Sequence, residues 1–345
     1  MSRALPIVDP FCAEVAEAAK EPLAGTAAHA RAWILVEEPG VWDRDPIASA
    51  GLVDERAVIE GWLSAIPKSR LQLVRRPRSS ASARRVMLAL PAEGRVLAWS
   101  AQTLADVPMI EAARGMVVEA ERLERPIHLV CTHGKRDRCC ALRGMPIFHA
   151  LDAAGADVWQ TSHLGGHRFA ATSVRFPDGY AFGYLTVEHV TSLLDEAVAL
   201  EIARGRVSLD EPTQAAELAL RRALGRRHPD EVAHVATERT ESGWRAVFSV
   251  RASEAPDPKT RAAPALEGEA HGANVFEPDA RQHVLDVRKT TLEGTRPKSC
   301  GDAPSAIETF AVSFDDALAS AGARVADDAR PTTEPIRQER PPHDS

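Results

Sequence analysis

The sequence is poor in aromatic residues and contains no long apolar run. Phe, Trp and Tyr make up 5% of the 345 residues, and basic clusters such as Arg75-Arg76 are short. A nucleic-acid surface with stacking aromatic side chains is therefore not expected. No run of about 18 or more apolar residues occurs, so no membrane-spanning helix is expected. Residues 1–25 lack a continuous apolar core followed by a small-residue cleavage site, and we expect no signal peptide.

Cysteine is also scarce, and its count of five is odd. Such a count argues against a disulfide framework. It fits a cytoplasmic protein, in which clustered cysteines more often serve metal or redox chemistry. The hydrophobic content of 44% and the charged content of 26% are those of a globular protein. A net charge of -7 does not suggest a polyanionic partner.

The order of predicted elements indicates an α/β protein. The first half runs strand, helix, three strands and helix, and the second half repeats this order, which is close to the minimal thioredoxin-like pattern. We predict an N-terminal α/β half without metal ligands over residues 1–123 and a ligand-bearing domain over residues 124–205. A small α+β domain over residues 206–320 and a disordered tail over residues 321–345 follow. We hypothesise that the first half is a degenerate copy of the second.

Two helices are predicted after the strands of these halves. Apolar spacing favours a helix over residues 104–123 at the end of the first half and another over residues 187–202 at the end of the second. Within the second half, a helix is predicted from Leu142 to Ala153.

Four candidate metal ligands lie in one stretch of the chain. Cys131 and Cys140 are separated by eight residues, and His163 and His167 flank the tripeptide Leu-Gly-Gly. Thiolates suit zinc, copper(I) and iron–sulfur clusters, and imidazoles suit zinc, copper and iron. Adjacent cysteines rarely bind the same ion, so only one of Cys139 and Cys140 is expected to be a ligand.

Three interpretations remain open from the residues alone. A 2Fe–2S cluster with two Cys on one iron and two His on the other has the donor set of Rieske centres. A structural Cys2His2 zinc site fits the histidine spacing, but its cysteines are usually about two to four residues apart. A thiol oxidoreductase would use Cys139 or Cys140, yet the chain has no C-x-x-C pair. The donor types favour cluster and zinc about equally, with thiol chemistry third.

The neighbouring residues favour the cluster. Two glycines between the histidines let the backbone approach a sulfur closely. Three cationic residues lie between the cysteines and are expected to lower the pKa of the thiols: Lys135, Arg136 and Arg138. The other cysteines, Cys12 and Cys300, are isolated in sequence and are predicted to be small, partly buried residues.

Two sequence boxes carry a family resemblance. Residues 131–140 read CTHGKRDRCC and residues 159–170 read WQTSHLGGHRFA. With the weaker boxes EPLAGT at 21–26 and RPKSCG at 296–301, they resemble the sucrase/ferredoxin-like family of thioredoxin-like ferredoxins. Ferredoxins of this fold with four Cys ligands carry the second pair in a C-L-G-x-C box. Here residues 163–167 occupy that box with His at both ends.

The resemblance implies a thioredoxin-like ferredoxin domain that carries a 2Fe–2S cluster. The implied ligands are Cys131 and Cys140 on the inner iron and His163 and His167 on the outer iron. It implies one-electron transfer with a redox partner protein, such as a flavoprotein reductase, rather than an enzyme with its own substrate. Two His in place of two Cys imply a higher, pH-coupled potential. No paired carboxylates in a glycosidase setting support the word sucrase.

Overall fold

The structure, a computed structural model, describes residues 11–77, 83–251 and 280–314. These residues form one ten-stranded mixed sheet with flanking helices and a second, four-stranded antiparallel sheet. The predicted α/β class is confirmed. None of the helices in these ranges has the length and apolar character needed to cross a lipid bilayer. The predicted disordered tail lies outside the described residues.

The first half of the large sheet is built around one fully buried strand. Its elements, in chain order, are α1 (Cys12–Ala18), β1 (Ala32–Glu37), α2 (Arg56–Ala65), β2 (Ser69–Arg75), β3 (Arg84–Leu90), β4 (Arg95–Ala101), α3 (Met109–Ala113) and β5 (Glu121–Arg122). Every residue of β1 is buried, as a central strand covered on both faces requires. It pairs in parallel with β2 and antiparallel with β3, which pairs antiparallel with β4.

The second half has the same construction. Its elements are β6 (Ile127–Cys131), α4 (Arg138–Ala153), β7 (Asp157–Thr161), β8 (Ser173–Phe176), β9 (Tyr180–Phe182), α5 (Val190–Leu194) and β10 (Ala203–Arg206). Buried β6 pairs in parallel with β7 and antiparallel with β8, which pairs antiparallel with β9. The order β7-β6-β8-β9 therefore repeats β2-β1-β3-β4 with the same strand directions.

A short seam joins the two halves into one sheet. Strands β2 and β7 are antiparallel and pair at Val74 with Thr161 and at Arg75 with Gln160. The two halves share one strand order, which is what the hypothesis of a degenerate copy requires. Since the seam lies at the end of β7, side chains from the ligand-free half reach the loop that follows β7.

Two predicted helices are much shorter than expected. Of residues 104–123, only a 3-10 turn and α3 are helical, because Pro108 precedes α3 and Gly115, with φ of +76°, follows it. Of residues 187–202, only a 3-10 turn and α5 are helical. The carbonyls at the end of α5 turn onto the buried guanidinium of Arg175, which takes the place of further helical bonds.

The C-terminal sheet packs against one helix. Its elements are α6 (Glu211–Leu224), β11 (Val232–Thr240), β12 (Gly243–Val250), β13 (Arg281–Pro297) and β14 (Pro304–Phe314), with strand order β11-β12-β13-β14. Asp210 caps α6 by accepting the N–H of Thr213 at 3.1 Å, and left-handed Gly225 ends it. Leu220 of α6 and Phe248 of β12 lie in the shared core. The turn between β13 and β14 carries Cys300.

A buried ion network joins α6 to the edge of the large sheet. Glu217 Oε1 lies 3.0 Å from Arg221 Nε and 2.9 Å from Arg206 Nη2, and it accepts the Tyr180 hydroxyl at 2.6 Å. Burial raises the pKa of Glu217, but Arg206 and Arg221 outweigh it and hold that pKa below its ordinary value. Arg221 and Glu217 are almost fully buried, so neither charge can recover its lost hydration if the other is removed.

We predict that Glu217→Gln lowers the free energy of unfolding by about 3–5 kcal/mol, because it leaves Arg221 buried without a counter-charge. Glu201→Gln is the matched control, since Glu201 and Arg227 form an ion pair with side chains 52% and 53% exposed. That change is expected to cost at most about 1 kcal/mol. Urea unfolding of both variants and the wild type measures the difference.

The effect of Glu217→Gln should also depend on pH. The lowered pKa means that the contribution of Glu217 is fully present above its unfolded pKa of about 4.3. It is lost as the pH falls through the lowered folded-state pKa. The stability difference between wild type and variant should therefore narrow in acid, and a difference that widens there would contradict this account of the network.

Candidate metal centre

Strand β6 and helix α4 bring Cys131 and Cys140 together. Cys131 is the last residue of β6, and Cys140 lies in the first turn of α4. Gly144 allows the helix to lie directly on the strand, because a Cβ there would be 2.1 Å from the carbonyl oxygen of Cys131. The helix begins at Arg138 rather than at the predicted Leu142, so Cys140 is fixed in a helical turn and not in a loop.

Three of the four predicted ligands form one compact group. The sulfurs of Cys131 and Cys140 and one ring nitrogen of His163 lie within 4.8 Å of one another. The two thiols share a hydrogen bond, which holds the pKa of Cys131 well below and that of Cys140 well above the ordinary value. Nδ1 of His163 is buried and has no hydrogen-bond partner within the described residues. A metal ion or cluster would give that nitrogen a partner.

His167 lies beside this group rather than inside it. Its ring centroid is 5.0 Å from that of His163. Its Nδ1 faces away, 3.2 Å from Asp137 Oδ2 and 3.6 Å from Cys12 Sγ. Burial lowers the pKa of His167 to about 4, with a further contribution from His163, so the ring is neutral at pH 7. A neutral ring that donates from Nδ1 to a carboxylate keeps a lone pair on Nε2, as in many histidine ligands.

Two arginines, the half-buried Arg70 and the buried Arg204, hold the loop between the histidines. Arg70 of β2 donates to the carbonyl of His163 at 2.7 Å, and Arg204 of β10 donates to that of Gly165 at 3.0 Å. Burial lowers the pKa of both guanidinium groups, that of Arg204 to about 9, and the charge of Cys131 opposes the shift in each case. The positive charge of each guanidinium group favours negative charge on Cys131.

Residues of the ligand-free half also form hydrogen bonds with the start of this loop. The amide of Gln72 on β2 accepts the hydroxyls of Thr161 and Ser162 at 3.2 and 3.1 Å. Ser162 exchanges two bonds with the backbone of Leu73, at 2.8 and 3.0 Å. The position of His163 therefore depends on residues from both halves of the sheet.

Two of the three cations expected near the thiols contact other groups. Lys135 pairs with Asp43 at 2.6 Å on the surface, and the guanidinium of Arg138 lies over the Phe11 ring. The prediction that these residues lower the thiol pKa stays a prediction. Sequence reasoning missed Arg70 and Arg204, because arginines in strands are ordinarily taken to be exposed.

A second cluster of donor groups lies on the other side of His167. The sulfurs of Cys12, Cys139 and Cys300 are 3.3 to 3.6 Å apart, and Asp137 joins them within 4.8 Å. All three are free thiols. Cys12 and Cys300 are thus isolated in sequence but not in the fold, and Cys300 is partly buried as predicted, whereas Cys12 is fully buried. The weak box at residues 296–301 was the sole sequence signal for Cys300.

Asp137 connects the two groups. It caps α4 by accepting the N–H of Cys139 at 3.0 Å, and it accepts from the N–H of Cys300 at 3.1 Å and from Ser299 Oγ at 3.0 Å. Burial raises the pKa of Asp137, but these bonds outweigh it and lower the pKa to about 2. The carboxylate is thus ionised while it holds Nδ1 of His167.

Comparison with known proteins identifies one related family. A sequence model described as "Sucrase/ferredoxin-like" matches residues 23–209, which include both halves of the large sheet and all of the predicted ligands. Searches of curated proteins and of solved structures return no significant match.

We predict that Gly166→Ala disrupts the histidine loop. Gly166 has φ of +68°, and a Cβ there would lie 2.3 Å from Arg204 Nη2. Gly94→Ala is the matched control, with φ of +60° and nothing within 4 Å. The left-handed backbone should cost about 1–2 kcal/mol at either position, and the displacement of Arg204 should add to it at Gly166 alone. Chemical unfolding compares the two, and equal losses would contradict the role of Arg204.

Proposed function

The chain belongs to the sucrase/ferredoxin-like family, and on that premise we propose that it is a one-electron carrier with a 2Fe–2S cluster. The proposed ligands are Cys131, Cys140, His163 and His167. The observation that carries the proposal is the compact group of two buried thiols and one ring nitrogen of His163 within 4.8 Å. When bound, such a cluster supplies a centre that takes up and returns one electron.

The protein groups around this centre suit a redox role. Cys131 and Cys140 are at most 1% exposed, whereas the side chain of His167 is 13% exposed. The side of the centre that carries the histidines, here called the histidine edge, is therefore closer to the protein surface than the cysteine side. Electrons would enter and leave through it. Arg70 and Arg204 place two positive charges near Cys131, which favours the more negative, reduced state.

We further propose that the electrons are exchanged with a redox partner protein, for example a flavoprotein reductase. Lys135, Arg136 and Arg138 are exposed on the segment that leads to Cys139 and Cys140. An acidic patch on the partner would complement them and speed the encounter. The five free thiols suit the expected cytoplasmic location.

Of the two alternative functions, the structure is compatible with a zinc site and disfavours thiol exchange. Three donors within 4.8 Å also suit a single zinc ion, so a structural zinc site is the second candidate. Thiol exchange is disfavoured, because Cys139 and Cys140 are each 1% exposed and an attacking thiolate needs access to its substrate.

We predict that protein purified without oxygen is coloured, with visible charge-transfer bands and about two iron and two sulfide ions per chain. Cys131→Ser should abolish the bands, because it removes an iron ligand. Absorption spectroscopy and iron analysis provide the test. A colourless wild-type protein with zinc bound through Cys131 would exclude the cluster and support the alternative.

We also predict that His163→Cys and His167→Cys lower the reduction potential, since a thiolate brings negative charge where a neutral imidazole stood. His149→Cys is the control, because His149 is exposed on α4, and its potential should equal that of the wild type. A redox titration monitored by absorption measures all three. An unchanged potential in either ligand variant would count against ligation by that histidine.

A further inference from the structure

Three thiols from distant parts of the chain meet at one point outside the proposed cluster site. Cys12 is the first residue of α1, Cys139 lies in the first turn of α4, and Cys300 lies in the turn between β13 and β14. They are separated by 127 and 161 residues in sequence. Cys12 and Cys139 are at most 1% exposed.

The three sulfurs form a nearly equilateral triangle. The separations are 3.6 Å between Cys12 and Cys139, 3.3 Å between Cys139 and Cys300, and 3.6 Å between Cys300 and Cys12. A tetrahedral zinc ion with bonds of about 2.3 Å places two of its sulfurs about 3.8 Å apart. The triangle therefore needs to open by only a few tenths of an ångström to become one face of such a tetrahedron. It is too small for thiolates bound to different irons of one cluster, because an iron–iron edge would separate them further.

The surroundings also resemble those of a bound metal thiolate. Asp137 Oδ1 lies 3.2 Å from the sulfur of Cys300 and supplies a fourth donor. The backbone N–H of Cys12 points at the same sulfur at 3.5 Å. Such outer hydrogen bonds orient thiolate ligands and stabilise their charge. Cys139 lies at the N-terminus of the 16-residue helix α4, where the helix dipole favours a thiolate.

We propose that Cys12, Cys139 and Cys300 bind a structural zinc ion, with Asp137 on the fourth side. Zinc prefers thiolate-rich tetrahedral sites and needs no redox change. The ion would tie the N-terminal helix and the β13–β14 turn to α4. The family match covers residues 23–209, so two of the three thiols lie outside it. The site adjoins the proposed cluster site, because Asp137 and Cys12 both contact His167. It uses none of the four proposed cluster ligands, so zinc binding there does not require the cluster.

The test is metal analysis of the full chain expressed with iron and zinc and purified without oxygen. Wild type should hold about one zinc ion per chain. Cys300→Ser and Cys12→Ser should each lower the zinc content at least about tenfold, because loss of a direct ligand weakens binding at least as much as loss of an outer partner. Cys300 lies in a partly exposed turn, so its variant keeps the test valid if Cys12→Ser fails to fold.

Cys131→Ser is the matched control and should lose the iron while it keeps the zinc. Cobalt(II) added to metal-free Cys131→Ser protein should give thiolate charge-transfer bands, and these bands should be lost in the double variant Cys131→Ser/Cys300→Ser. Wild-type protein without zinc, even after zinc addition, would overturn the proposal. So would zinc that is lost in Cys131→Ser but kept in Cys300→Ser, or a Cys139–Cys300 disulfide in anaerobic protein. Absence of iron with zinc retained would instead contradict the electron-carrier function alone.

Discussion

The carboxylate of Asp137 is the interaction on which both donor groups depend. It caps the helix that carries Cys139 and Cys140, fixes the turn that carries Cys300, and holds the ring of His167. A buried carboxylate is stable only when its oxygens are satisfied, and here several neighbours donate to it. Asn at this position would keep the shape but remove the charge. The two thiol groups and the histidine edge are therefore one electrostatic unit, although their residues come from widely separated segments.

The positive charges of Arg70 and Arg204 balance the negative charge that this unit carries at Cys131. Arg70 and Arg204 donate to the carbonyls of the histidine loop and so hold its backbone in place. A buried arginine is costly unless its donors are paired, and Arg204 donates to Thr26 and to the carbonyl of Gly165. The close approach of Arg204 to Gly166 shows how tightly the loop is fitted to them. Gly166 thus matters less for backbone flexibility than for the room it leaves for the guanidinium group of Arg204.

Local patterns in the sequence were enough to predict the α/β class, the repeat of strand order, and the meeting of Cys131, Cys140 and His163. These features depend on short spacings and on buried apolar strands, which leave a clear periodic signal. The predicted lengths of the helices over residues 104–123 and 187–202 were wrong. Pro108 overrides the helical spacing in the first case, and the contacts of Arg175 override it in the second. The contact of Cys12, Cys139 and Cys300 left no comparable signal. Contacts across more than a hundred residues depend on the whole fold rather than on spacing.

The seam between β2 and β7 has a consequence for the speed of the proposed reaction. Gln72 and Leu73 bind the residues immediately before His163, and Arg70 binds His163 itself. A loop clamped in this way moves little when the charge at its tip changes by one unit. Little movement means a small reorganisation energy, which lowers the barrier to electron exchange. The half that lacks ligands would thus increase the rate of the proposed electron transfer by keeping the histidine loop rigid.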